Sequence, residues 1–156
     1  MPVMMRRSVL DNVAYPLMLR SQSRAQARQA ARHWVETVGL HNKFNLDAKM
    51  LSGGERQKLA IARGLICSPD VLFLDEPTTN LDGRSIREIE AIVKAANAQG
   101  TRVVMTTHDI GQARRLASEV IFLNKGEVCE QQSSESFFNN PQSVAAQAYL
   151  RGDIVE

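Results

Sequence analysis

The segment LSGGERQ at Leu51–Gln57 sets Ser52 and Glu55 at the S-x-x-E spacing of a capping box, just ahead of the apolar pattern Leu59, Ala62, Ile66. A helix is expected to begin there. Gly53 and Gly54, immediately inside the cap, leave the first amides uncovered, so a phosphate could approach the backbone and the positive end of the helix dipole. The plainer meaning of the same pattern is a capped helix and nothing more. Asp75 and Glu76 follow the apolar run VLFL directly. Two adjacent carboxylates with diverging side chains allow one to hold a magnesium shell while the other faces an attacking water. Acids that end a strand for solubility are the alternative. His108 closes the next apolar run, while His33 and His41 fall in a helical section. A lone strand-end histidine is more often structural, but sharing an edge with Glu76 favours a chemical role.

These residues must be positioned by three kinds of element. The stretch from Ser8 to about Cys67 is rich in helix formers and is expected to be wholly helical. Within it Ala27, Ala31, Trp34 and Val38 recur at helical intervals, and Gly39 can terminate that helix. The period then changes. VLFLD at Val71–Asp75 suits a strand buried on both faces. A helix from Gly83 to about Gln99, with Ile86, Ile89, Ile92 and Val93 on one face, leads into a second strand candidate at Arg102–His108. Such a crossover is parallel, so both strands deliver their carboxyl ends to one sheet edge, where ligands bind in α/β folds. A helix at about Ile110–Ser118 and a hairpin turning at Asn124-Lys125-Gly126 follow. QQSS at Gln131–Ser134 is expected as a loop, and a polar helical tail comes after it.

Composition bounds the class. With 156 residues, 44% hydrophobic and 23% charged, the chain has the make-up of one soluble globular domain and is not disordered. A net charge of +2 gives no argument for a nucleic-acid partner. Within Met1–Val35, however, six arginines (Arg6, Arg7, Arg20, Arg24, Arg28, Arg32) face one acid, Asp11. That stretch is either a solvated helix face or a binding surface. No apolar run approaches the roughly 18 to 20 residues that span a bilayer, and MPVMMRR does not read as a secretory signal, so a cytosolic protein is expected. Cys67 and Cys129 are expected as unpaired thiols.

Taken together and in this order, the motifs resemble those of the ATP-binding subunits of ABC transporters. LSGGERQ is similar to the ABC signature, VLFLDE to the Walker B strand, NLD at Asn80–Asp82 to the D-loop, and His108 to the switch histidine. Spacing agrees, with 23 positions from Ser52 to Asp75 and 32 from Glu76 to His108. The resemblance implies an α/β fold, an incomplete P-loop NTPase (RecA-like) sheet with an ABC-type helical subdomain. It divides the chain into a helical subdomain with the signature at about 8–67, a RecA-like core part at about 68–130, and a carboxyl-terminal helical tail at about 131–156. It implies ATP and Mg2+ as cofactors. Asp75 would hold the magnesium through water, Glu76 would act as general base, and His108 would hydrogen-bond the γ-phosphate. Ser52, Gly53, Gly54 and Glu55 would close on a nucleotide held by a second ATP-binding subunit, a homodimer, with Asp82 coupling the two sites. Transmembrane permease subunits would hold the assembly at the inner face of the plasma membrane, with Arg6 and Arg7 near that contact.

No G-x-x-x-x-G-K-[S/T] run occurs among the nine glycines, and the family's adenine-stacking aromatic and Q-loop glutamine have no counterpart. Two explanations are open. Either the sequence is the carboxyl-terminal part of a transporter ATPase, truncated and inactive alone, or it is a non-catalytic regulatory module that offers its signature helix to a full-length partner. Uncovered sheet edges would make the chain poorly soluble. The cargo resemblance, carried by FFNNPQSVAAQAYLRGDIV, is to importers of inorganic oxyanions such as tungstate and molybdate.

Overall fold

The computed structural model describes residues 2–153; the last three residues of the expected helical tail lie outside them. The chain divides into two compact units, one ending at Thr106 and the other starting at Thr107.

The first unit opens with α1 (Val9–Leu19), α2 (Arg24–Thr37) and α3 (Gly53–Leu65). Each start is fixed by a serine. Ser8, Ser23 and Ser52 accept an amide of the first turn, and at Ser23 and Ser52 the capping box is complete. Gly39, at φ +74°, ends α2 as its sequence position requires. The face of α2 that packs is Ala27, Ala31 and Val35, with Trp34 only half-buried beside it. These residues join Val9, Leu10, Val13 and Leu17 of α1 and Leu59, Ile61, Ala62 and Leu65 of α3 in one apolar core.

The expectation of an all-helical stretch fails between Leu40 and Leu51. That segment holds two short 3₁₀ turns, His41–Lys43 and Ala48–Met50, and a single bridge pairing Ser8 with Asp47. Asn42, Asn45 and Asp47 are turn formers; the Asp47 carboxylate accepts the Lys49 amide at 2.9 Å. Five of the six amino-terminal arginines are engaged within the chain. Arg24 and Arg28 pair with Asp11, Arg7 stacks on Tyr15, Arg32 on Phe44, and Arg20 donates to the Cys67 carbonyl.

The unit continues through β1 (Val71–Asp75), α4 (Gly83–Ala98) and β2 (Arg102–Thr106). The strands pair in parallel, Val71 opposite Arg102 and Asp75 opposite Thr106, so the expected crossover is present. Burial on both faces of β1 is not. Leu74 is buried and Leu72 packs against the core, whereas Phe73 is 75% exposed and pairs with the exposed Val104. The helices cover one face of this two-stranded sheet, and alternation of side chains leaves the other open. A cleft of about 600 Å³ runs along β1, bounded by Met5, Tyr15, Gly64, Leu72 and Phe73.

The second unit contains α5 (Ile110–Leu116), the antiparallel pair β3 (Glu119–Asn124) and β4 (Glu127–Ser133), α6 (Ser134–Asn139) and α7 (Val144–Arg151). The hairpin turns at Lys125-Gly126, both left-handed at φ +50° and +81°, as a two-residue loop favours. Gln131–Ser133 are not loop. They extend β4 opposite Ile121, Val120 and Glu119, past a register shift at Phe122/Leu123. The tail is less polar than its composition suggests, since Phe122 meets Phe137 and Tyr149. Glu130 anchors α7, accepting the Gln142 amide and both the amide and hydroxyl of Ser143.

Candidate functional site

Asp75 and Glu76 stand at the carboxyl end of β1, both exposed. Thr106, across the sheet in register with Asp75, links them: its hydroxyl donates to Asp75 Oδ1 at 2.6 Å and accepts the Glu76 amide at 3.0 Å. Glu76 has a left-handed backbone, φ +41°, which costs a non-glycine residue about 1 kcal/mol or more. That turn is what separates the two carboxylates. Thr79 Oγ1 donates to Glu76 Oε2 at 2.8 Å and fixes its end.

The residues fit a magnesium ion of the kind that phosphate ligands complete. Among the described residues no group of three or more candidate ligands converges, so Asp75 offers one anchored carboxylate and not a cage. Mg2+ is commonly held in that way, by one or two carboxylates with water and phosphate filling the rest.

The start of α3 forms a second cluster. Ser52 Oγ accepts the Glu55 amide, Glu55 Oε2 accepts the Ser52 amide at 3.1 Å, and Lys43 Nζ lies 2.6 Å from Glu55 Oε1. Partial burial pushes the Glu55 carboxyl up, but the Lys43 ammonium and the Ser52 amide outweigh it and hold the group below its ordinary value. The Gly53 and Gly54 amides belong to the first turn, where no intrahelical acceptor reaches. Asp82 caps α4, accepting the Arg84 and Ser85 amides at 3.0 Å each and the Ser85 hydroxyl at 2.7 Å. The Ser85 hydroxyl is the first reason its carboxyl sits below the usual range. Gly54 and Ser85 are in contact, so Ser52–Glu55 and Asp82 share one neighbourhood.

His108 belongs to the second unit and is exposed. Its carbonyl accepts the Tyr149 hydroxyl at 2.9 Å, and Asp109 beside it caps α5 through the Gln112 amide. Burial, and then the Asp109 charge, push the Tyr149 hydroxyl above its ordinary value.

Sequence reasoning missed Thr106, Thr79 and Ser85. The parallel register could have found Thr106, since strands of equal length set their last residues opposite one another. Ser85 carries a weaker local signal, three residues after a capping aspartate.

The sequence profile of the ABC transporter family matches residues 2–79. The chain belongs to the ABC transporter family. The matched span takes in Ser52–Glu55 and Asp75–Glu76. This ABC transporter chain is 35% identical to the glutamine transport ATP-binding protein of Bacillus subtilis over 92% of its own length and 60% of that protein's. It is 37% identical to the phosphate import ATP-binding protein PstB 2 of Natronomonas pharaonis, over 95% of its length and 55% of the relative's. The histidine/lysine/arginine/ornithine transport ATP-binding protein of Salmonella typhimurium is also 37% identical, over 94% and 58%. The chain thus spans 60% or less of the length of these relatives. Its mixed α/β architecture agrees with part of an ABC-type NTPase domain, and among the described residues no helix is long and apolar enough to cross a membrane.

Proposed function

We propose that this chain is part of an ATP-binding and ATP-hydrolysing subunit of an ABC importer. The reading is carried by one observation: Asp75 and Glu76, at the carboxyl end of a parallel strand pair, are oriented separately through Thr106 and through the left-handed turn at Glu76. Two fixed carboxylates with different surroundings suit two roles in phosphoryl transfer. Asp75 holds the magnesium shell. Glu76 takes the proton of the attacking water as its oxygen bonds to the γ-phosphorus and the β–γ bridging bond breaks. Bound Mg2+ supplies charge neutralisation on the phosphates. Ser52, Gly53 and Gly54 aim first-turn amides and a hydroxyl at the γ-phosphate of a nucleotide held by a second ATP-binding subunit, a like copy; Glu55 completes their cap. Asp82 couples the paired sites, and His108 hydrogen-bonds the γ-phosphate.

The 156 residues contain no phosphate-loop motif, so that half of the chamber comes from residues outside this sequence. In the assembly the subunit sits on the cytoplasmic side, against transmembrane permease subunits. The division into a signature-bearing helical part, a RecA-like part and a tail belongs to the same reading. Relatives named for amino acids and for phosphate support a small polar solute as cargo. Tungstate or molybdate is its narrower form.

The test is completion of the subunit: a phosphate-loop segment of the family fused ahead of Pro2, with ATP turnover measured. Glu76→Gln is expected to lower turnover by about 100-fold or more while ATP still drives pairing of subunits. Turnover that survives both Glu76→Gln and Ser52→Ala would sink the proposal. A completed protein that binds no ATP yet accelerates a full-length partner would instead establish the regulatory module.

A further inference from the structure

Helices α3 and α4 begin side by side, closer than ordinary packing allows any side chain at the contact. A Cβ placed on Gly54 would lie 2.5 Å from Ser85 Oγ and 2.8 Å from Ser85 Cβ. The Ser85 Cβ is fixed to the first turn of α4 and cannot swing aside. Gly54 itself has no left-handed backbone, the positive-φ glycines being Gly39, Gly100, Gly126 and Gly152. Its conformation would accept alanine, which in a helix is otherwise the better residue. The demand for glycine at this position therefore arises inside the chain, from α4, before any ligand is considered.

Ser85 faces both ways. While its Cβ packs on Gly54, its hydroxyl and its amide both bond Asp82, at 2.7 Å and 3.0 Å. Further along the same two helices, the buried Lys58 of α3 reaches Glu88 of α4 at 2.6 Å, and Glu88 in turn holds Arg84 at 2.9 Å. Contact at the helix starts is thus reinforced by an ion pair one turn on, which resists sliding of either helix.

We propose that Ser85 is a positioning residue that latches the signature glycine Gly54 to the D-loop carboxylate Asp82 within one chain, so that the two segments move as a single rigid piece. What the piece touches rests on the proposed function; the latch does not. Transmission runs from Gly54 through Ser85 to Asp82. Anything that displaces Gly54 toward α4 pushes the hydroxyl off the carboxylate, although Gly54 and Asp82 lie on different elements.

The experiment uses the completed subunit described above, with the Asp82 carboxyl followed by 13C NMR titration and stability by thermal unfolding. Gly54→Ala is expected to raise the Asp82 titration point and to lower the melting midpoint by about 5 °C. In a Ser85→Gly background the same substitution should move neither, because the obstructing side chain is gone. Ser85→Ala alone should raise the Asp82 titration point, since the hydroxyl is what chiefly holds it down. An Asp82 titration that ignores Gly54→Ala, or equal melting losses in both backgrounds, overturns the latch. Should Gly54→Ala fail to fold, the double variant decides: recovery of the fold supports the latch and continued failure overturns it. In the completed subunit, Ser85→Ala is expected to lower kcat for ATP several-fold with KM little changed. Turnover untouched by a substitution that does shift Asp82 counts against the nucleotide-facing role of these segments and leaves the latch standing.

Discussion

Replacing Asn12 by aspartate changes one atom of a side chain that is wholly buried, yet should be among the most damaging substitutions in the first unit. Asn12 Oδ1 accepts the Met5 amide at 3.1 Å, and its Nδ2 is shared among the carbonyls of Ser8, Arg7 and Met5 at 3.0, 3.2 and 3.3 Å. One amide group thus holds the bent entry Met5–Ser8 back on α1. In Asn12→Asp the donor is replaced by an oxygen facing three carbonyl oxygens. The Ser8, Arg7 and Met5 carbonyls keep their backbone donors, the amides of Asn12, Ala48 and Arg7. The loss is therefore two N–H donors at about 1 kcal/mol each plus about 1 kcal/mol for setting a carboxylate oxygen against carbonyl oxygens, about 3 kcal/mol at neutral pH, a large part of a typical net stability. The new carboxyl would retain its proton in the folded chain, so its folded pKa rises above the unfolded value near 4. Between those two values the folded state binds more protons than the unfolded one, and stability falls as pH rises. Below about pH 4 the pH-dependent part of the loss disappears. Urea midpoints from pH 4 to 8 for wild type, Asn12→Asp and Asn12→Ala provide the assay. Asn12→Ala should lose a comparable amount with no added pH dependence. A stability gap between Asn12→Asp and wild type that is small at pH 7, or that does not narrow in acid, would refute the argument.

Glu55 is held below its ordinary value, so its contribution should be complete above the unfolded glutamate pKa and fade as pH falls through the folded one. Glu55→Gln should cost about 1 kcal/mol at pH 7 and flatten the acid side of a melting-midpoint profile taken from pH 3 to 7. Phe73→Glu should change the unfolding free energy by less than about 1 kcal/mol and raise the soluble fraction on expression, because the ring lies on the open face of β1. Glu76→Gly should leave the urea midpoint unchanged or raise stability by about 1 kcal/mol, by relieving the left-handed backbone, while the completed subunit loses ATP turnover.

What the sequence made legible is what local chemistry decides. Ser52 and Glu55 announce their capping box because the partners lie three residues apart, and Gly39 announces the end of α2 because only its own φ is at stake. The crossover from β1 to β2 follows from a change of hydrophobic period, and its parallel sense from the helix that carries the chain back between the two strands. What stayed hidden depends on neighbours. VLFLD is apolar at four successive positions, and nothing within it says that Leu72 and Leu74 meet helices while Phe73 meets solvent. Gln131–Ser133 look like a loop until β3 is set beside them. Asn12 follows Asp11 and looks like a second polar residue of the first helical turn, and its value lies in backbone groups four to seven residues upstream that turn back on it.

The candidate site shows the same division at the scale of single bonds. The motif residues Ser52, Asp75, Glu76 and Asp82 were visible as types at spacings, but hydroxyls outside the quoted motifs orient three of them: Thr106 for Asp75, Thr79 for Glu76, and Ser85 for Asp82. A carboxylate at the end of an exposed strand or loop is otherwise free among rotamers, and freezing it costs entropy at the moment of reaction. A short hydroxyl side chain, on the adjacent strand for Asp75 and three residues along the chain for Glu76 and Asp82, removes that freedom in advance without adding charge. At Glu76 the backbone also departs from its comfortable region. At Glu76 strain and a preset hydrogen bond thus meet on one residue, as the proposed phosphoryl transfer, which needs its groups fixed beforehand, would use them.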